Sequence, residues 1–122
     1  EIYQTLNLVD LENGVVSAMN ELDKVEKLAL GSETRSWSNR KILETILFEY
    51  RDSFAAFTDL STLRNRIKGK KSITLEIQDA ASGWLRCQYI SLGENENGEV
   101  DKVVYTVEDV SQRRIISVRI KI

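Results

Sequence analysis

The chain has no histidine, no proline and a single cysteine. Without histidine it cannot assemble Ser-His-Asp or Cys-His catalysis or hold haem through an imidazole. Most zinc sites also lose their usual ligand. A phosphoaccepting histidine is equally excluded. The one cysteine, Cys87, cannot close an internal disulfide, so a reducing compartment is the simpler expectation. No apolar run approaches the roughly 20 residues of a bilayer-spanning helix, and no signal-peptide pattern is present. The lack of proline removes the plainest helix breaker, so boundaries must be read from periodicity alone.

What remains is the composition of one compact, folding domain. The 122 residues have room for a single core. They are 42% hydrophobic and 30% charged, the balance of a chain that folds and stays in solution. Net charge is −2 and the pI is near 5.3, which does not favour nucleic acid or an anionic membrane as the main partner. A cytoplasmic location is expected. The chain does not begin with Met. It reads as a piece of a longer protein, which leaves open a membrane anchor elsewhere in the parent.

Periodicity divides the chain into three parts. Residues 2–9 and 15–20 are two apolar strand patterns around Asp10-Leu11-Glu12-Asn13-Gly14, and Asn-Gly is a strong hairpin signal. Leu6 and Leu8 share one face of the first strand, Thr5 and Asn7 the other. Residues 21–69 change to a helical period. Leu22, Val25, Leu28 and Ala29 predict a helix over 21–30, stopped by Gly31. A longer helix starts near Ser38, a candidate N-cap, with Ile42, Ile46, Tyr50 and Phe54 four residues apart. The sequence leaves open whether it runs unbroken to Phe57 or breaks near Tyr50–Asp52. Residues 59–69 predict a last short helix, capped by Asp59 or Ser61 and left through Gly69. Its Arg64, Arg66 and Lys68 read as a solvated face near the negative end of the helix dipole.

The last third returns to period two. Ile73, Leu75 and Ile77, then Leu85, Cys87 and Tyr89, then Val103, Tyr105 and Val107 mark three strands. Gly93–Glu99 carries the turn signal Asn97-Gly98. The expected fold class is α+β, a five-stranded antiparallel sheet with the helices inserted between the second and third strands and covering one face. Such a layer can enclose a small-molecule cavity.

Several of these segments resemble the PAS domain, a sensory module of bacterial signalling proteins. Residues 6–20, LNLVDLENGVVSAMN, are similar to its opening pair of strands, with Asp10, Gly14 and Asn20 at the matching places. Residues 72–114 are similar to its closing three strands, including the PAC motif, and Asp109-Val110-Ser111 matches the family's Asp-Val/Ile-Thr/Ser at the output end. Residues 48–72, FEYRDSFAAFTDLSTLRNRIKGKKS, resemble a variant found ahead of diguanylate cyclase (GGDEF) or histidine kinase regions. The resemblance implies a sensory domain over 1–114 that relays a ligand or dimerisation signal to a C-terminal effector. It implies a homodimer formed through the parent protein, and no catalysis by the domain itself. Two departures stand out. The usual Asp-Pro before the last helix is missing, and residues 116–122 alternate with period two instead of starting a long helix. Residues 115–122 are therefore either the start of an output linker or an extension of strand.

The chemistry that could be present is limited. Flavin photochemistry in this family needs a cysteine in an Asn-Cys-Arg-type motif, and Cys87 has no such neighbours. With no haem histidine either, no cofactor is expected, and an unknown small ligand stays open. Cys87 is expected to be a small core residue, with a redox-sensing thiol as the alternative. Tyr89 and Tyr105 are core aromatics whose hydroxyls find partners, or they line a cavity and bind a ligand. Trp37, Tyr50 and Phe54 complete the candidate lining, and Trp84 has the parity of the outer face. Asp10, Glu12, Glu94, Glu96, Glu99 and Asp101 read as an acidic turn surface, with a bound cation in the Gly93–Glu99 turn as the weaker alternative. A second function class, a small cavity enzyme or binding protein of similar build, would need an inward carboxylate facing a phenol. None is visible on the predicted strands. Asp109, Val110 and Ser111 are the candidate output junction.

Overall fold

The structure, a computed structural model, describes residues 3–19, 25–27, 37–80 and 83–111. In these segments the chain runs β1 (Tyr3–Asp10), β2 (Val15–Ala18), β3 (Val25–Lys27), α1 (Trp37–Thr45), a single 3₁₀ turn (Phe48–Tyr50), α2 (Arg51–Phe57), α3 (Leu60–Ile67), β4 (Ser72–Asp79), β5 (Gly83–Glu94) and β6 (Val100–Asp109). The strands form one sheet in the order β3-β2-β1-β6-β5-β4, and every neighbouring pair is antiparallel. The five expected strands are all present, with the helices between the second and the β4–β6 meander. β1 and β6 sit side by side at the centre, so the first and last strands anchor one another.

One expected helix is overturned. Residues 25–27 form a sixth, edge strand that pairs with β2 through Val15–Lys27, Val16–Glu26 and Ser17–Val25. Val25 fits either period, and pairing with an open strand edge prevailed over local helical spacing. The rest of the 21–30 segment lies outside the described residues, as do 115–122 and the polar stretch before Trp37.

The long central helix is split, earlier than Tyr50–Asp52. After Thr45 the chain is extended at Leu47 (φ −64°, ψ 140°) and pairs with the end of β4. Leu47 N–H donates to Gln78 O at 3.0 Å, and Ala80 N–H donates to Thr45 O at 2.9 Å. Those bonds satisfy backbone groups that the broken helix would otherwise orphan. α1 begins at Trp37, so Ser38 lies inside its first turn and is not the cap. α3 starts as expected. Asp59 Oδ1 accepts from Ser61 N–H at 2.9 Å and from the Ser61 hydroxyl at 2.6 Å. Gly69 (φ +75°) provides the left-handed exit that a side chain would strain.

The basic face of α3 is not simply solvated. Arg64 Nε donates to Val100 O at 2.9 Å, and its Nη2 reaches Glu12 Oε1 at 2.8 Å. Arg66 Nη2 donates to the carbonyls of Phe57 and Asp59, both at 2.9 Å. The two arginines tie α3 to the β1–β2 turn, to β6 and to the end of α2. Glu12 also accepts from Asn95 Nδ2 at 2.6 Å, so the two acidic turns are clipped together by side chains.

The core lies between the sheet and the helices. It contains Ile42 and Ile46 from the α1 segment, Phe54 and Phe57 from α2, and Leu60, Leu63 and Ile67 from α3. Ile77, Leu85, Cys87, Tyr89, Val103, Tyr105 and Val107 meet them from the sheet. β1 faces the opposite way from simple polarity. Thr5, Asn7 and Val9 are buried toward the helices, whereas Leu6 and Leu8 are half-buried on the other side. There, Leu8 pairs with Val104 of β6. A charged ladder crosses the same outer face, Glu76–Arg86–Glu108, one residue from each of β4, β5 and β6. Among the described residues, no helix is long and apolar enough to cross a membrane.

Candidate functional site

An aromatic row crosses the interior. The Phe57 ring of α2 lies 5.1 Å from that of Tyr89 on β5, and Tyr89 stacks on Tyr105 of β6 at 4.7 Å. The stack follows from register, because Tyr89 and Tyr105 are directly cross-strand. Tyr105 is 2% exposed, and its hydroxyl donates to Asn39 Oδ1 of α1 at 2.9 Å. The phenol thus spans the gap between sheet and helical layer. Burial, reinforced by the neighbouring Cys87 and Tyr89, holds its pKa well above the ordinary value. It stays a neutral donor across the physiological range.

Cys87 lies beside it, fully buried. Desolvation pushes its thiol up to about 12, only partly offset by a hydrogen bond with Tyr105. A thiol so placed is a core residue and not a redox nucleophile.

Of the six candidate lining residues, Phe54, Cys87, Tyr89 and Tyr105 belong to this one core. Tyr50 packs at its margin, where its ring meets Trp84 edge-on at 6.0 Å. Trp84 is therefore engaged by the helical layer, although its parity is that of the outer face. Trp37 opens α1, and its side chain lies outside the described residues.

Two polar residues in the interior were missed by the sequence reading. Asn39 stands in the first turn of α1, where an amide reads as surface. Asn7 shares a face of β1 with Thr5 that the sequence assigned to neither core nor solvent, and only the strand's inward turn reveals it. Its register partners are Tyr105 on β6 and Ala18 on β2. Asn7 is 1% exposed, and its Nδ2 has no hydrogen-bond partner among the described residues. Leaving such a donor unpaired costs on the order of 1–3 kcal/mol.

An inward carboxylate, unseen in the sequence, closes β4. Asp79 is 3% exposed and accepts from the Thr45 hydroxyl. It faces the end of α1, where it fastens the helix break to the sheet. Its cross-strand partner is Gly83, not a phenol. Among the described residues, no three metal-ligating side chains are grouped. An open surface groove of about 530 Å³ lies between residues 69–71 and 91–94 and contains none of these residues.

The exit from the sheet is held by hydrogen bonds. Asp109 Oδ1 accepts from Ser111 N–H at 2.9 Å, and Ser111 Oγ accepts from Trp84 N–H at 2.9 Å. Val110 N–H donates to Trp84 O at 2.9 Å, and the Val110 side chain is buried. Gly83, at φ +82°, is pressed against the same serine. A Cβ there would lie 2.5 Å from Ser111 Oγ. Asp109-Val110-Ser111 is thus fastened to the start of β5, and Trp84 is shared between this junction and Tyr50.

No protein-family model matches the chain, and no curated protein matches it in sequence. Solved structures do. One is the N-terminal domain of a diguanylate cyclase with PAS/PAC sensor from Marinobacter aquaeolei, at 14% identity and a TM-score of 0.50, covering 89% of this chain and 96% of that one. A second is a sensory box histidine kinase/response regulator from Burkholderia thailandensis E264, at 13% identity and a TM-score of 0.45, covering 96% of this chain and 84% of that one. The antiparallel sheet, the helices inserted after its second and third strands, and the first of these likenesses agree: the chain folds as a PAS-like domain.

Proposed function

We propose that this chain is a non-catalytic sensory module of a signalling protein, which relays ligand occupancy or a dimer rearrangement to an effector beyond its C-terminal exit. The observation that carries the reading is the shared use of Trp84. Its ring touches Tyr50 of the helical layer, and its backbone holds both Val110 and Ser111 at the exit. A shift of the helices over the core would therefore reach the outgoing chain through one residue. A ligand can drive such a shift only if it prefers one arrangement.

The effector is a diguanylate cyclase or a histidine kinase region, in line with the sequence resemblance over residues 48–72. The parent is a homodimer acting in the cytoplasm. This segment touches neither nucleic acid nor membrane and carries no flavin, haem or metal. The enzyme alternative is weaker, because the inward carboxylate on the core face among the described residues, Asp79, is committed to Thr45 at the helix break.

The test joins the domain through its natural exit to a diguanylate cyclase catalytic region and measures dinucleotide synthesis. Trp84→Leu is expected to change output while the fold persists. Unchanged output from a folded Trp84→Leu chimera would refute the relay.

A further inference from the structure

Native interiors pair nearly all their buried donors, so the Asn7 amide requires an account. It sits on the central strand β1, on the face that looks at the helices, directly across from Tyr105. The opposed Cβ atoms of such a pair are roughly 4.5–5.5 Å apart. On the other side its neighbour is Ala18, the smallest side chain of the buried set. The Tyr105 hydroxyl is already committed to Asn39. A buried amide donor and an aromatic ring thus meet over the middle of the sheet, beside the short side chain of an alanine.

Charge narrows what could fill that place. Among the described residues no lysine or arginine is buried. The buried carboxylates are engaged, Asp79 by Thr45 and Glu108 by Arg86. Thr5, Asn7, Asn39 and Thr58 are neutral. An anion or a cation would enter without a counter-charge, which is strongly unfavourable.

We propose that the inner face of β1 and β6 binds a small uncharged molecule through an oxygen that accepts from Asn7 Nδ2, with the Tyr105 ring as its apolar wall. The inference rests on the sensory reading above and names the class of ligand for it.

Three probes of similar shape test it on the whole chain: acetophenone, its alkene isostere α-methylstyrene, and benzoate. Binding is followed by NMR at the Asn7 side-chain amide. Acetophenone is expected to shift that amide and to bind at least about tenfold tighter than either of the others. In Asn7→Leu the ketone should lose its advantage while the alkene binds as before. Equal binding of ketone and alkene to the unaltered protein would overturn the ligand class and leave the sensory reading standing. No ketone binding, with the Asn7 amide in contact with a long-lived water, would also overturn it, since water would then be the missing acceptor. Ketone binding as expected, with no change in the output of the cyclase chimera, would sustain the site and remove the sensory reading. The comparison among probes needs no variant, so it holds even if Asn7→Leu fails to fold.

Discussion

Asp59 shows how much one side chain can fix. Its carboxylate accepts from the Ser61 hydroxyl and backbone N–H, and these bonds hold its pKa below the ordinary 3.8. A depressed carboxylate adds stability above its unfolded pKa, and that stability is lost as pH falls through the lower folded value. Asp59→Ala is expected to lower the stability of the chain by about 1 kcal/mol at neutral pH. Asp59→Asn, still a good cap, should cost less and remove that part of the acid sensitivity. Urea melts at pH 7 and below pH 3.8 check both; equal acid sensitivity of wild type and Asn variant would contradict the capping account. Cys87 gives the opposite sign. Its thiol keeps its proton in the folded state up to about 12, while the unfolded thiol ionises near 9.0. Stability should therefore fall with rising pH above 9.0, more steeply in wild type than in Cys87→Ala. A thiol reagent should label Cys87 only after unfolding, and rapid labelling of the native protein would show that the burial argument is wrong.

At the scale of elements, five of the six strands were legible and the breaks were not. Alternation at Ile73–Ile77, Leu85–Tyr89 and Val103–Val107 reports a half-buried sheet directly. The end of α1 carries no glycine or proline, because the chain leaves the helix to pair with Gln78 and Asp79 of β4, a tertiary event. β3 is three residues long and exists only against β2, so its local pattern could not announce it. The inward turn of Thr5 and Asn7 was hidden for a similar reason. Leu6 and Leu8 look like core residues until the register sets them against Thr106 and Val104 on the outer face. Of the candidate lining, Phe54, Cys87, Tyr89 and Tyr105 announce their burial through periodicity and lie together in the core, whereas nothing in the sequence marks the amides of Asn7 and Asn39 as buried. Gly83 belongs at this scale too, since it starts β5 and makes room for Ser111. Gly83→Ala must strain φ and displace the serine oxygen, so a loss of more than about 1 kcal/mol is expected. Gly98→Ala strains φ but meets nothing within 4 Å, and should cost less. Equal losses in chemical denaturation would remove the contact from the explanation.

At the scale of the whole molecule, the claim is that the interior and the exit are one mechanical unit. Phe57, Tyr89, Tyr105 and Asn39 join the helices to the sheet through packing and one buried hydrogen bond. Tyr50 and Trp84 join the same helical layer to Asp109-Val110-Ser111. The polar exit bonds are exposed or half-buried and contribute modestly to stability, which suits the proposed role of a junction that changes arrangement. The measurement that tests this most directly is Asp109→Ala, read twice: in a thermal melt of the domain, and in dinucleotide synthesis by the domain joined to a diguanylate cyclase region. The account predicts a fold that survives, at a cost of about 1 kcal/mol, with output no longer responding to the occupant of the interior. A variant that regulates normally, or one that simply unfolds, would contradict it.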